Sequence, residues 1–175
     1  QMPNLALICL QSVGLDHLDV DAVKERGIKV ANARGTNSAS CADHVFALLL
    51  SVSRHILAND KSMRENEAYE ECPKFHSTTV NGKKIGILGL GSIGCEIAKR
   101  ATAFDMEVFY HNRNAGLDVV GGEAPEREPL CTMENVVMSP HLAGNTEESW
   151  LNRSNLTRQI LMEFREGEKL TNQVY

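Results

Sequence analysis

Three glycines in the middle of the chain stand at a spacing that suits close approach of the backbone to a phosphate. Gly89, Leu90, Gly91, Ser92, Ile93 and Gly94 fit the pattern G-x-G-x-x-G. In this pattern the first glycine makes a tight turn, the second admits a pyrophosphate, and the third lets a helix pack closely on a strand. The N-terminus of the helix then offers N–H groups and a partial positive charge. The motif predicts a dinucleotide site, and the alternative is a glycine-rich turn without a ligand.

The residues that end the following strand bear on which dinucleotide would bind. A carboxylate there would accept a hydrogen bond from the ribose 2′-hydroxyl, whereas a basic side chain would pair with a 2′-phosphate. This chain has His111, Asn112 and Arg113 at that place and no carboxylate. Because a guanidinium can make charge-assisted contacts with phosphate, the sequence favours NADP(H) over NAD(H). The alternative is that Arg113 is a solvated turn residue.

The composition excludes several classes of protein. The chain has 175 residues, 42% hydrophobic and 23% charged, which is ordinary for a globular protein with one sizeable core or two small ones. A net charge of −5 argues against nucleic acid and anionic membranes as partners. No apolar run is long enough to span a membrane. The five cysteines and six histidines show no metal-ligand spacing, and the odd cysteine count predicts reduced thiols and a cytoplasmic location.

The predicted elements around the glycine motif alternate between strand and helix, as in a parallel α/β protein. A strand, a short helix closed by Gly27 and a second strand occupy the first 32 residues, and a long apolar helix is predicted over residues 38–57. The glycine motif then lies between a strand and a helix with Ile93, Ile97 and Ala101 inward. Near the end of the chain, Asn145 and Glu148 suggest a capping box. The helix that follows is predicted to bury the apolar residues Leu156, Ile160, Leu161 and Phe164.

One junction does not fit a complete parallel sheet. The segments EVFY and AGLDVV are each predicted as strands, and only residues 111–114 (HNRN) lie between them. A crossover between neighbouring parallel strands needs a dozen or more residues. The junction therefore leaves no room for a crossover if both strands belong to one parallel sheet.

Four blocks of the sequence resemble the D-isomer-specific 2-hydroxyacid dehydrogenases, and most closely the glyoxylate/hydroxypyruvate reductase branch with the plant hydroxyphenylpyruvate reductases. SVGLDHLD is similar to that family's substrate-carboxylate loop, and NARGTNSASCADHVFALLLSVSR to the helix that joins its two domains. GKKIGILGLGSIG is similar to its nucleotide fingerprint. AGLDVVGGE and ENVVMSPHLAGNT are similar to the segment that carries two catalytic residues.

The resemblance implies a role for particular residues. His141 would be the acid/base that protonates the substrate carbonyl, a task that suits a group with a pKa near neutrality. Glu123 would orient the imidazole and favour its charged form. Asp118 would contact the nicotinamide amide, and the backbone N–H groups of Val13 and Gly14 would hold the substrate carboxylate. The residues alone, without the resemblance, favour His141 as a turn histidine after a strand-ending proline and Glu123 as a solvated loop residue.

The resemblance also accounts for the short junction. The family carries a long stretch between these two strands, and a Gly-Arg-Gly turn in it holds the catalytic arginine. No such tripeptide occurs in this sequence. We therefore expect a family member that lacks this segment and the N-terminal strands of the substrate domain. The expected architecture is a shortened Rossmann-like parallel sheet in residues 61–141, flanked by a partial flavodoxin-like substrate domain in residues 1–60 and 142–175.

Two functions from different classes follow from these expectations. One is an NADP(H)-dependent reductase of small 2-oxo acids such as glyoxylate or hydroxypyruvate, paired as a homodimer as in the family. The other is a catalytically impaired form that acts at most as a nucleotide-binding or dimer-partner remnant. An unrelated hydrolase has no support, because the chain has no G-x-S-x-G motif.

Overall fold

The computed structural model describes residues 2–65, 76–111 and 139–175. It divides the chain into two compact units. Unit 1 contains Gln1–Asn37 and Gly144–Tyr175, and unit 2 contains Ser38–Ala143. Within these described residues, each unit holds one pair of parallel strands with helices, so the predicted α/β class is confirmed.

Unit 1 is built on two three-residue parallel strands. Strand β1 (Leu7–Cys9) pairs with β2 (Lys29–Ala31) in the register Leu7 to Lys29. Helix α1 (Val20–Glu25) connects them and begins after Asp19, whose carboxylate accepts a hydrogen bond from the N–H of Ala22 at 3.1 Å. The strand–helix–strand order predicted for this stretch is confirmed.

The long C-terminal helix packs on this strand pair through one face. Helix α5 (Glu147–Glu166) begins after Thr146, whose hydroxyl accepts from the N–H of Ser149, so the cap lies one residue after the predicted one. Ile160, 2% exposed, packs with Ala31 of β2 and Leu170. The sequence predicts Leu161 to point inward, but this residue is 52% exposed. The buried face of the helix runs through Leu156, Ile160 and Phe164, and position 161 lies outside it.

The segment after α5 lies along the free side of β2. Val174 donates to the carbonyl of Val30 at 2.8 Å, and Val30 donates to the carbonyl of Tyr175 at 3.0 Å. Glu163 fixes the start of this segment, because its carboxylate accepts the backbone N–H of Thr171 at 2.6 Å and the hydroxyl of Thr171 at 2.7 Å. The tail thus extends the parallel pair by a short antiparallel contact.

The described residues of unit 2 form the second parallel pair and three helices. Strands β3 (Lys84–Leu88) and β4 (Glu107–His111) pair along five residues, and α4 (Ser92–Ala103) connects them. The predicted helix over residues 38–57 is interrupted: α2 (Ser38–Ser53) ends before His55, which has φ 50°, and α3 (Ile56–Glu65) begins after it. In the described part of the chain no single helix is long and apolar enough to cross a membrane, and α2 with α3 meets that criterion only as a pair bent by 60°.

The core of unit 2 forms where α2 and α4 meet the strands. The rings of Phe46 on α2 and Phe104 after α4 stack with centroids 5.3 Å apart, and Ala101 is fully buried beside them. Arg100 of α4 donates to the Asp43 carboxylate of α2 at 2.7 Å. Of the predicted inward stripe, Ile97 packs on this core, whereas Ile93 is 39% exposed.

These contacts place residues 38–60 in unit 2, whereas the sequence grouped them with the first residues of the chain. The compact units therefore begin and end at other residues than the predicted domains 1–60 with 142–175 and 61–141. The assignment of those domains to substrate and nucleotide stays a prediction.

The Glu163 carboxylate makes the stability of unit 1 sensitive to acid. Its hydrogen bonds from the backbone N–H and the hydroxyl of Thr171, and from Gln159, hold the pKa of this carboxyl below its ordinary value of 4.5. A group whose folded-state pKa is depressed stabilises the fold above its unfolded-state pKa, and this contribution is lost as the pH falls through the folded-state value. We expect the free energy of unfolding to fall more steeply below about pH 4.5 in the wild type than in Glu163→Gln.

Urea unfolding at a series of pH values measures this difference. Glu168→Gln is the matched control, because Glu168 is exposed in the same turn, and its curve should follow the wild type. Curves for wild type and Glu163→Gln that stay parallel down to about pH 3 would contradict the role of Glu163.

Candidate functional site

The glycine motif forms a tight turn between β3 and α4. Gly89 has φ 95°, in the region that favours glycine, and its N–H donates to the carbonyl of His111 at 2.8 Å. This hydrogen bond ties the turn to the end of β4. The turn therefore stands at the carboxyl end of both parallel strands, where ligands bind in open α/β sheets.

Gly94 sets how closely α4 approaches β3. A Cβ at this position would overlap the carbonyl oxygen of Gly89 and would touch a methyl group of Ile87 at 3.4 Å. The third glycine of the motif thus performs the helix–strand packing task that the sequence assigned to it. With any larger residue the helix would have to start farther from the strand.

The first turn of α4 is open to an anion. Gly91 is the N-cap residue and offers no capping side chain, and the first N–H groups of a helix have no partner within the helix. The earliest helical hydrogen bond here runs from the N–H of Cys95 to the carbonyl of Gly91 at 2.9 Å. The N–H groups before it can therefore donate to a phosphate, and Leu90, Ser92 and Ile93 line that turn. This geometry fits a dinucleotide pyrophosphate.

Several predicted site residues lie outside the described part of the chain. They are Asn112, Arg113, Asp118 and Glu123. Their roles therefore stay predictions, and so does the preference for NADP(H). His111, the last described residue of β4, is exposed at the end of the strand that precedes them.

His141 lies in an exposed turn whose start is tied to α2. A hydrogen bond of 2.7 Å joins His44 Nε2 of α2 and Ser139 Oγ, two residues before His141. Leu142 donates to the carbonyl of Pro140 at 2.6 Å and closes the turn around the histidine. Sequence reasoning missed His44, although a histidine within the apolar run of α2 was a signal that it has a polar partner.

The predicted substrate loop lies in unit 1 and is fixed through its carbonyl groups. The side-chain amide of Asn32 donates to the carbonyl of Val13 at 2.8 Å, and Ala33 N–H donates to the carbonyl of Ser12 at 3.0 Å. In a trans peptide the N–H points opposite to the carbonyl of the same peptide plane. The N–H groups of Val13 and Gly14 therefore point away from β2 and the residues after it.

The structure brings the six residues of the glycine turn together with the end of β4 in unit 2, and it places Val13 and Gly14 side by side in unit 1. His141 belongs to unit 2. Within residues 2–65, 76–111 and 139–175, no group of three His, Cys, Asp or Glu side chains could hold a metal ion.

A glycine turn at the carboxyl ends of two parallel strands, followed by a helix with an open N-terminus, is the arrangement typical of the Rossmann-like α/β class. The chain belongs to the D-isomer specific 2-hydroxyacid dehydrogenase family, because its residues 1–175 match the catalytic domain that characterises this family. The expected family is confirmed, while the plant reductase branch stays a prediction.

Known proteins similar to this chain include enzymes named for different activities. A D-3-phosphoglycerate dehydrogenase of Archaeoglobus fulgidus is 40% identical over 109 residues, which cover 62% of this chain and 20% of the relative. A glyoxylate reductase of Pyrococcus horikoshii is 36% identical over 133 residues, which cover 73% of this chain and 40% of the relative. The chain thus spans less than half the length of these curated relatives.

The fold itself is similar to solved structures along nearly the whole chain. A 2-hydroxyacid dehydrogenase from Ketogulonicigenium vulgare Y25 superposes with a TM-score of 0.81 at 24% identity, covering 99% of this chain and 79% of that one. This likeness confirms the predicted Rossmann-like fold class.

The close contact at Gly94 gives a direct test of the turn. Gly94→Ala should destabilise the protein by about 1–3 kcal/mol, because the added methyl group meets backbone that cannot move aside. It should also weaken NADPH binding, since α4 would be displaced from the turn. Thermal unfolding with and without NADPH measures both effects.

Gly86→Ala is the matched control, because a Cβ at Gly86 on β3 would meet nothing within 4 Å. Its melting temperature and NADPH affinity should stay close to the wild-type values. Equal losses in the two variants would show that the contact between positions 94 and 89 is unimportant.

Proposed function

We propose that this chain forms part of an NADP(H)-dependent reductase that converts small 2-oxo acids of the glyoxylate or hydroxypyruvate type into 2-hydroxy acids. The observation that carries the proposal is the glycine turn, in which the close packing of Gly94 on Gly89 and the open N-terminus of α4 fit a pyrophosphate. Membership of the 2-hydroxyacid dehydrogenase family supports the substrate class.

The cofactor would supply a hydride to the carbonyl carbon of the substrate. His141 would donate a proton to the carbonyl oxygen, so that the 2-oxo acid becomes a 2-hydroxy acid. The hydrogen bond between His44 and Ser139 supports this role, because it fixes the start of the turn that presents His141. Glu123 would orient the imidazole, and Asp118 would bind the nicotinamide amide.

The substrate carboxylate would be held by the backbone N–H groups of Val13 and Gly14. Their direction, set by the carbonyl contacts of Ser12 and Val13, supports this assignment. Arg113 would pair with the 2′-phosphate of NADP(H). The same proposal includes a homodimer and a cytoplasmic location. It also assigns nucleotide binding to residues 61–141 and substrate binding to residues 1–60 with 142–175.

A second candidate is a catalytically impaired form, and a feature of the sequence favours it. The chain has no Gly-Arg-Gly tripeptide, which carries the catalytic arginine in the resemblance, and residues 111–114 directly join two predicted strands. Loss of one preorganised electrostatic group of this kind typically costs roughly 10²- to 10³-fold in rate. Such a chain would bind nucleotide and turn over slowly or not at all.

The cofactor assignment depends on Arg113. Arg113→Ala should raise the Kd for NADPH by about tenfold or more and leave the Kd for NADH nearly unchanged, because only NADPH has a 2′-phosphate for a charge-assisted hydrogen bond. Fluorescence titration with both nucleotides measures the two constants. Arg158→Ala removes the same charge from α5 and should affect neither. Equal losses for NADH and NADPH in Arg113→Ala would refute the 2′-phosphate contact.

The acid/base assignment depends on His141. His141→Gln should lower kcat for hydroxypyruvate reduction by roughly 10²- to 10⁴-fold without changing NADPH affinity, because only the proton donor is removed. Loss of NADPH absorbance measures turnover, and His76→Gln, at an exposed histidine, is the control. Unchanged turnover in His141→Gln would remove this residue from the site. A wild type that binds NADPH but reduces no 2-oxo acid would instead support the impaired form.

A further inference from the structure

We propose that Asn172, in the tail after α5, is a positioning residue for the Val13–Gly14 loop and acts on it through Asn32. The proposal deepens the proposed function and depends on it in one respect, namely that the ligand of this loop is a substrate carboxylate. The hydrogen-bond connection itself belongs to unit 1 and stands apart from any activity.

The first step is that the tail holds Asn172 in a fixed place. Thr171 is clamped by the Glu163 carboxylate through both its backbone N–H and its hydroxyl. On the other side of Asn172, the backbone of Val174 and Tyr175 is paired with Val30 of β2. Asn172 itself adopts φ 54°, a left-handed conformation that asparagine and glycine tolerate better than other residues.

The second step is that the Asn172 side chain forms hydrogen bonds with the backbone after β2. Its side-chain amide donates to the carbonyl of Arg34 at 2.9 Å and to the carbonyl of Asn32 at 3.4 Å. The N–H of Asn32 donates in return to the carbonyl of Asn172 at 3.3 Å. The tail and the residues that follow β2 are therefore held together by both main-chain and side-chain groups.

The third step is that Asn32 passes this constraint to the loop. Asn32 is only 8% exposed, and its amide donates to the carbonyl of Val13 at 2.8 Å while its Oδ1 accepts the N–H of Arg34 at 3.3 Å. Both ends of the side-chain amide are thus engaged, which fixes its rotation. Ala33 N–H adds a contact to the carbonyl of Ser12 at 3.0 Å.

The consequence is a loop whose N–H direction depends on a residue far along the chain. If the amide of Asn172 is removed, the backbone at Asn32 and Arg34 loses two hydrogen bonds on the side opposite to the loop. The Asn32 side chain can then rotate, and the peptide planes that present the N–H groups of Val13 and Gly14 lose their fixed direction. Binding of a carboxylate suffers, while nucleotide binding in unit 2 is untouched.

Hydrogen exchange of backbone amides tests the connection without any need for activity. The variant is Asn172→Gly, because glycine keeps the positive φ and removes only the side chain. We expect exchange of the Ala33 amide to quicken by roughly fivefold to tenfold, and exchange of the Val30 amide, which is bonded to the tail itself, to stay unchanged. Gln173→Ala is the control in the same tail, since Gln173 is exposed.

Two results of the exchange experiment would overturn the proposal. An Ala33 amide that exchanges at the wild-type rate would show that Asn172 does not constrain the loop. Equal acceleration at Ala33 and Val30 would show that Asn172 merely holds the tail on β2. Asn172→Asp serves as a second variant if the glycine variant unfolds, because it keeps the size and tolerates the same φ but replaces the donor with an acceptor facing two carbonyls.

Kinetics with hydroxypyruvate as the probe test the consequence for substrate. Asn172→Gly should raise the KM by roughly fivefold to tenfold, with kcat within about twofold of the wild type and an unchanged Kd for NADPH. A loss of kcat with no change in KM would overturn the positioning role. If the wild type reduces no 2-oxo acid, the proposed function fails, and the exchange experiment still decides whether Asn172 positions the loop.

Discussion

The glycine turn between β3 and α4 depends on the absence of one methyl group at position 94. Helix α4 starts against the carbonyl of Gly89, and a side chain at position 94 would occupy the space in which that carbonyl lies. This close approach places the first N–H groups of α4 beside the ends of β3 and β4, which are tied together by the contact between Gly89 and His111. The absence of a side chain at position 94 therefore determines how the helix packs, where its N-terminus points and where a phosphate can enter.

The parts of the structure that local sequence determines were predicted well. The strand–turn–helix–strand order around Gly89 and the first strand–helix–strand unit follow from apolar periodicity and from glycine positions, and both are present. The same is true of three of the four inward residues of α5, with Leu161 as the exception. A side chain one position beside a helical stripe is exposed or buried according to the exact direction of packing, which periodicity alone does not specify.

The parts that depend on contacts between distant residues were not predicted. The sequence contains no local signal that Asn32 and Asn172, 140 positions apart, hold each other, or that Ser139 meets His44 on α2. Likewise, the break at His55 results from a single left-handed residue within an otherwise helical pattern. A polar side chain of this kind can form hydrogen bonds with several different partners, and the folded backbone determines which partner is within reach. The roles of Asn112, Arg113, Asp118 and Glu123 rest on the resemblance alone.

The discontinuity of unit 1 has a consequence for the order in which the protein takes shape during synthesis. Residues 38–143 of unit 2 are contiguous and leave the ribosome before α5 and the tail of unit 1. Unit 2 can therefore begin to fold while β1 and β2 still lack the helix and the antiparallel tail that cover them. During this interval Ala31, which is fully buried in the finished protein against Ile160 of α5 and Leu170, lacks both of these partners.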